Sequence, residues 1–415
     1  MELLDRDNVS VTSRDNWLRI KRSDPSLIWL TVTSVLVPKS SHNKIIEDSE
    51  IGELGRDIGC NTHLRRLQFL GEKPCHDIDD SNEQYKLLCK GLKENQSIEE
   101  LNLVCFNQAE GEIWEFLGPF LENDKNLKRL RVYNGVDGSI SCEGMRLLVT
   151  PLMRRCSPLD KLEIADSRID DSILIELIMA FQENPALTPK ALDLRCNDID
   201  VYGCKLIARL LRGPRCTMES LTLWENEFDT QDDYDDVETI NLFTNALIEN
   251  TTLKELDLTF NHTANGIEAF SQFLCNTANI SATYFSNHTI HFFRGLDVGN
   301  PLHNDLKVYL EWNENVNKKM VARQKIFMQH FIRDFNMHPF KEMKSDLLVH
   351  VLSFIDKASS ETNGSVNDSA RCSIIFHLLK NDPMVCKIDK TGSMEDTNPS
   401  KRRRSKRRRT LSNRK

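Results

Sequence analysis

No stretch of this 415-residue chain approaches the ~20 consecutive apolar residues that cross a bilayer. Its amino terminus, MELLDRDNVSVTSRDNW, is studded with acids and has no apolar run of the kind a secretory signal needs. These two absences predict an intracellular, soluble protein. Its 12 cysteines are scattered singly, with no C-x-x-C pair and no cysteine and histidine cluster. That excludes a disulfide framework or a finger-type zinc site and predicts reduced thiols, most of them small buried hydrophobes. The sequons at Asn95, Asn250, Asn261 and Asn287 are then chance.

Catalytic signatures are missing too. The chain has no G-x-G-x-x-G, no G-x-x-x-x-G-K-[ST], no H-E-x-x-H and no G-x-S-x-G. His262, His288 and His291 sit near repeat turns, where a lone histidine is expected to form structural hydrogen bonds. No catalytic residue, metal or cofactor is assigned, and the chain is not expected to be an enzyme.

What the sequence does have is a repeat. The pattern apolar-x-x-apolar-x-apolar recurs at Leu27/Leu30/Val32, Leu64/Leu67/Phe69, Ile98/Leu101/Leu103, Leu127/Leu130/Val132, Leu159/Leu162/Ile164, Met218/Leu221/Leu223 and Leu253/Leu256/Leu258. Another copy, Leu192/Leu194, is offset from Leu187 by an insertion containing Pro189. The central leucines of these copies are separated by 29 to 37 residues, a period that marks a solenoid. A ninth, degenerate copy is expected through Ile280 and Phe285. Asn197, Asn226 and Asn261 each follow a central leucine by five residues, where a side-chain amide can join the backbones of adjacent coils.

Between these segments, stretches such as YKLLCKGLKENQSI, MRLLVTPLMRRCSPL, IELIMAFQENPAL and CKLIARLLRG space their apolar residues three and four apart, predicting helices. Asn95, Asn184 and Asn250 close such helices and are expected to adopt the left-handed conformation there. The pattern over residues 27 to 290 resembles the ribonuclease-inhibitor-like leucine-rich repeats, shared with Ran GTPase-activating proteins and the sensor regions of NOD-like receptors. The resemblance implies an α/β solenoid, a horseshoe with an inner parallel sheet and outer helices. It also implies work done mostly by protein binding.

In that geometry the side chains between the core positions face the open side of the sheet. They include Trp29, Arg66, Glu100, Arg129, Arg131, Tyr133, Lys161, Glu163, Asp193, Arg195, Trp224, Glu255 and Asp257. Basic residues gather around Arg66, Arg129 and Arg131, and carboxylates around Asp193, Glu225, Glu255 and Asp257, so a partner with complementary halves would be steered into one orientation. Arg66, Arg129, Arg131, Tyr133, Arg195, Trp224, Glu255 and Asp257 are the candidate partner-binding residues. Tyr133, Trp224 and Arg131 rank first, because aromatic and arginine side chains supply a disproportionate share of interface energy.

Acids crowd FDTQDDYDDVE from Asp229 to Glu238. The segment lacks the ligand spacing of a calcium loop, and its acids are read as favouring a helix N-terminus. After residue 300 the repeat fades into helical stripes at Met320, Phe327, Phe331 and Phe335, at Met343 to Ile355, and at Ile374 to Leu379, read as a cap over the last repeat. One part, KSDLLVHVLSFID, has a passing similarity to the start of an F-box.

The formal charge of −8 hides an asymmetry, since residues 401–415 carry ten cations and no acid. Lys401, Arg402, Arg403, Arg404, Lys406, Arg407, Arg408 and Arg409 have the composition of a nuclear import signal. With no aromatic residue to stack on bases, the tail is not expected to recognise specific nucleic acid. Ser405 and Thr410 each follow three arginines and are phosphorylation candidates that would reduce the tail's charge.

The expected organisation is an N-terminal segment over 1–26, repeats over 27–300, a helical C-terminal cap over 301–386 and a disordered basic tail over 387–415. The expected function is an intracellular protein-binding scaffold, nuclear or nucleo-cytoplasmic. Its partners would be another protein and, through the tail, an import receptor, with no membrane. Alternatives are a GTPase-activating protein like the Ran activators, or a ubiquitin-ligase substrate adaptor.

Overall fold

The computed structural model describes residues 8–10, 14–33, 48–70, 79–104, 112–135, 138–226, 228, 236–259, 261, 267–295 and 302–333. Two compact units divide the chain, Met1–Gln329 and His330–Lys415. Only residues 330–333 of the second are described. The F-box-like stretch, the stripes from Met343 to Leu379 and the whole basic tail, with Ser405 and Thr410, lie outside the described residues. So do Asp229 to Asp235 of the acidic segment and His262.

The first unit alternates short strands with helices. The strands are β1 (Asn8–Ser10), β2 (Trp29–Thr33), β3 (Arg66–Leu70), β4 (Glu100–Val104), β5 (Arg129–Tyr133), β6 (Lys161–Ala165), β7 (Ala191–Asp193), β8 (Ser220–Thr222), β9 (Glu255–Asp257) and β10 (Phe292–Arg294). The helices between them are α1 (Arg14–Lys21), α2 (Asp48–Cys60), α3 (Asp79–Leu92), α4 (Glu112–Asn123), α5 (Cys142–Leu152), α6 (Asp171–Glu183), α7 (Val201–Arg212), α8 (Asp236–Leu247), α9 (Ile267–Leu274) and α10 (Ile280–Tyr284). After β10 come α11 (Leu302–Asn313) and α12 (Lys318–Phe327). All ten strands form one parallel sheet in chain order. Parallel neighbours require a crossover, and the helices supply it.

The leucine repeat is the core of this stack. Leu30, Leu67, Leu101, Leu130, Leu162, Leu192, Leu221 and Leu256 stand in register across adjacent strands. All are buried, and each contributes about 2 kcal/mol by leaving water. Helix starts are fixed by side chains: Ser141 Oγ accepts from Gly144 N at 3.0 Å, and Asp170 Oδ1 from Ile173 N at 2.9 Å. Such caps are worth about 1 kcal/mol each.

At the turn from helix to strand, asparagines join consecutive coils. Asn95 Nδ2 donates to Ile58 O (2.8 Å) and Asn61 O (3.0 Å), while its Oδ1 accepts from Ser97 N and Ile98 N. Asn61, Asn250 and Asn287 repeat the motif. These bonds, not a left-handed backbone, explain the residue. Among the described non-glycine residues, positive φ occurs at Ser23, Asp166, Arg168, Cys196 and Glu225, and Asn184 has φ −128°. Where Cys156 occupies the slot, the buried Arg155 guanidinium takes over and donates to Leu121 O and Leu127 O.

The asparagines after the strands behave as expected. Asn197 Nδ2 donates to Ile164 O and Leu194 O, both at 2.9 Å, and its Oδ1 accepts from Ser167 N and Ile169 N, both at 3.1 Å. Asn226 and Asn261 continue the ladder, with Asn261 Oδ1 accepting from Asn226 N.

Three further expectations are corrected. The degenerate copy does not run through Ile280 and Phe285, which belong to α10 and the turn after it. It runs through Ile290 and Phe293, where Gly295 replaces the third apolar residue and Phe293 stacks on Phe270 at 3.7 Å. The cysteines are less uniformly buried than expected. Of the eight described, all reduced, Cys89, Cys204, Cys216 and Cys275 are buried and Cys60 and Cys156 are exposed. Of the stripe after residue 300, Phe327 is buried but Met320 is exposed. The residue that anchors α12 is instead the buried Lys325, whose ammonium donates to Leu274 O (2.6 Å) and Asn287 O (3.0 Å). Burial pushes its pKa down to about 7.

Candidate protein-binding face

Strand geometry sends alternate side chains to the face opposite the leucine core. The register arranges them in rows across the sheet. One row runs Trp29, Arg66, Glu100, Arg129, Lys161, Ala191, Ser220, Glu255, Phe292. The next runs Thr31, Gln68, Asn102, Arg131, Glu163, Asp193, Thr222, Asp257, Arg294. A third begins Thr33, Leu70, Val104, Tyr133, Ala165. It continues past the strand ends to Arg195 and Trp224, where Asp166 N donates to Arg195 O and Cys196 N to Trp224 O.

The register brings the candidate charges together in pairs. Glu163 is the hub, with Arg131 Nε 2.8 Å from its Oε1 and Lys161 Nζ 2.9 Å from its Oε2, and Arg195 Nη2 bonds it as well. Lys161 also reaches Asp193 at 3.0 Å. Burial alone would raise the Glu163 pKa, but Lys161, Arg131 and Arg195 outweigh it and hold the carboxyl below its ordinary range. Glu100 lies between Arg66 (3.5 Å) and Arg129 (3.8 Å). Glu255 accepts from Ser220 Oγ at 3.0 Å, and Asp257 faces Arg294 at 3.9 Å. The two charged halves inferred from sequence are therefore stitched internally by ion pairs between adjacent coils.

Tyr133 and Trp224 are both half-buried on this face. Sequence reasoning did not rank two further aromatic and arginine pairs at the ends of the sheet. The Arg66 guanidinium lies 5.4 Å from the Trp29 ring, and that of Arg294 lies 4.8 Å from Phe292. The second pair sits on β10, and its signal in the sequence was Asn287, three residues before Ile290 as Asn250 is before Leu253. Of the histidines singled out in the sequence, His288 Nε2 bonds Tyr284 O at 3.0 Å and His291 Nδ1 bonds Thr289 O at 3.4 Å. Among the described residues no group of three or more histidine, cysteine or acidic side chains is placed to hold a metal ion, and no helix is long and apolar enough to cross a membrane.

A leucine core repeated through a parallel ladder, with helices in the connections, defines an α/β leucine-rich-repeat solenoid. The family model for the leucine-rich repeat matches residues 249–271, the stretch that contains β9. A comparison with curated protein sequences gives no match. Among solved structures, actin-binding site 2 of leiomodin-1 aligns over 49% of this chain and 92% of its own, with 14% identity and a TM-score of 0.26. An internalin of Listeria monocytogenes aligns over 68% of this chain and 66% of its own, with 14% identity and a TM-score of 0.33. This chain has the leucine-rich-repeat fold.

Proposed function

We propose that the chain is a protein-binding scaffold of the ribonuclease-inhibitor-like type, docking its partner on the strand face. The observation that carries this is the set of rows just described. Ten strands place charged and aromatic side chains on one continuous surface, with the leucine core and helices confined to the other side. Partner proteins of solenoids bind such surfaces because neighbouring coils present side chains at fixed spacing. A photoreactive group at position 133 or 224 should trap one discrete partner, whereas the same group at the exposed helix position 209 should not. Equal trapping at all three positions would remove the strand face from the reading.

The tail supports delivery of the scaffold to the nucleus, where import receptors bind clustered cations. Residues 398–415 fused to a cytoplasmic reporter are expected to move it into nuclei, and a Ser405→Asp/Thr410→Asp version to do so less well. Accelerated GTP hydrolysis by a Ran-like GTPase, or retention of a Skp-type adaptor by residues 338–360, would replace the scaffold with the activator or ligase reading.

A further inference from the structure

The ion pairs of the strand face are layered, with carboxylates below and cations above. From β3 to β7, Glu100, Glu163 and Asp193 are 5 to 23% exposed, whereas Arg66, Arg129, Arg131, Lys161 and Arg195 are 28 to 62% exposed. Five cations thus cover three carboxylates, and the outermost charge of this half is positive in a chain whose net charge is −8.

We infer that the β3–β7 half of the strand face binds a short, extended acidic segment of the partner protein. This rests on the docking reading above and names the chemistry of what docks. An arginine held along one edge by a carboxylate keeps donors free on its other edge, in a fixed plane suited to a second carboxylate. Because the buried acids already fix these side chains, a ligand loses less rotamer entropy in ordering them. Five strands spaced about 4.8 Å apart span roughly 19 Å, the reach of about six extended residues. Alternate residues of such a segment point the same way, so acids at every second position all face the sheet.

The other half limits the length of the ligand. Glu225, Glu255 and Asp257 stand there, with Arg294 3.9 Å from Asp257. A long polyanion such as nucleic acid would be driven onto these acids, whereas a six-residue acidic stretch stops short of them.

The test uses the full chain with the eight cations Lys401 to Arg404 and Lys406 to Arg409 replaced by serine, so that the tail cannot bind the probe. The probe is a fluorescein-labelled octapeptide alternating glutamate and serine, followed by anisotropy in 50 mM salt. Arg129→Glu/Arg131→Glu should weaken binding at least tenfold, and Glu255→Lys/Asp257→Lys should change it less than twofold or tighten it. Arg131 also neutralises Glu163, so the double variant could perturb folding. Arg129→Glu alone, at an exposed residue 3.8 Å from Glu100, should still weaken binding at least threefold with an unchanged circular dichroism spectrum. Binding that ignores both arginine variants overturns the inference, and so does tighter binding of an eight-nucleotide oligothymidylate. If position 133 traps a partner whose binding ignores Arg129→Glu, docking on the face stands and only its acidic chemistry falls.

Discussion

The late coils of the sheet carry a side-chain tie that the early coils lack. Strands β2 to β6 are five residues long, and main-chain pairing carries their register through Thr33, Leu70, Val104, Tyr133 and Ala165. Strands β7 to β9 have three residues. There the backbone leaves the sheet through left-handed residues, Cys196 and Glu225, as it does at Asp166 after β6. Asparagine amides at 197, 226 and 261 then bond one coil to the next. At the corresponding early positions stand Val35, Glu72, Phe106, Gly135 and Ser167. The late coils keep main-chain bonds past their strands as well, with Leu194 N donating to Thr222 O, Cys196 N to Trp224 O and Glu225 N to Thr259 O, and the amide adds a side-chain tie to them.

The sharpest way to break this comparison is to remove the side-chain tie. Asn197→Ala leaves Ile164 O, Ser167 N and Ile169 N without their side-chain partner, while Leu194 O keeps the Asn226 amide. At about 1 kcal/mol or more for each buried group, the expected loss is at least about 3 kcal/mol. It should appear in denaturant unfolding, with faster hydrogen exchange centred on residues 161–200. In an early strand, Asn102→Ala removes one side-chain bond, from Nδ2 to Glu100 at 3.2 Å, and should cost about 1 kcal/mol. Equal losses for the two variants would erase the distinction.

A smaller effect is expected where early helices touch. A Cβ on Gly91 would collide with the Gly55 backbone, one on Gly59 with Gly91 O, and one on Gly55 would lie 2.9 Å from Leu87 O. Helices α2 and α3 therefore meet backbone to backbone, and Gly91→Ala should cost about 2 kcal/mol through forced separation. Gly52, on the same helix α2, has open space around its missing Cβ. Gly52→Ala should gain up to about 1 kcal/mol from helix propensity. Thermal melts of the two variants moving in the same direction would show that packing is not the cause.

Much of this was legible in the sequence because the physics is local and repeated. Each central leucine predicts a strand, and Asn197, Asn226 and Asn261 predict their ladder by recurring at one offset. Strand β10 was misplaced because Gly295 stands where a leucine would complete the pattern, and β1 was missed because Arg6 stands where the first apolar residue of the pattern would be. The pairing of Arg131 on Glu163 follows from register alone, once leucines about thirty residues apart are set side by side, and Arg195 reaches the same carboxylate from two residues past the register partner Asp193. The α2–α3 glycine contact and the seat of Lys325 had no such signal, since each depends on a close approach between residues at least 30 positions apart.

The late coils also join through ionisable side chains, which gives them a pH response that the glycine contact of α2 and α3 lacks. Asp171, in the first turn of α6, accepts from Asp200 N at 3.3 Å, and Asp200 in turn caps α7. A Cβ on Gly203 would strike Asp171 Oδ1, so that glycine leaves room for the carboxyl. Burial, and then the hydrogen bond shared with Asp200, raise the Asp171 pKa from 3.8 to about 7. The same bond, with Asp171 as its donor, holds Asp200 below its ordinary range. Because the folded chain keeps the Asp171 proton longer than the unfolded chain does, the stabilisation is complete below about pH 4 and is lost as pH rises through about 7. Asp171→Asn keeps a donor toward Asp200 but cannot ionise. Its melting temperature relative to the parent chain should therefore climb between pH 5 and pH 8, while Gly52→Ala stays parallel to the parent over the same range. Parallel curves for Asp171→Asn would mean that the two carboxyls share no proton and that α6 and α7 are held by the caps and apolar contacts alone.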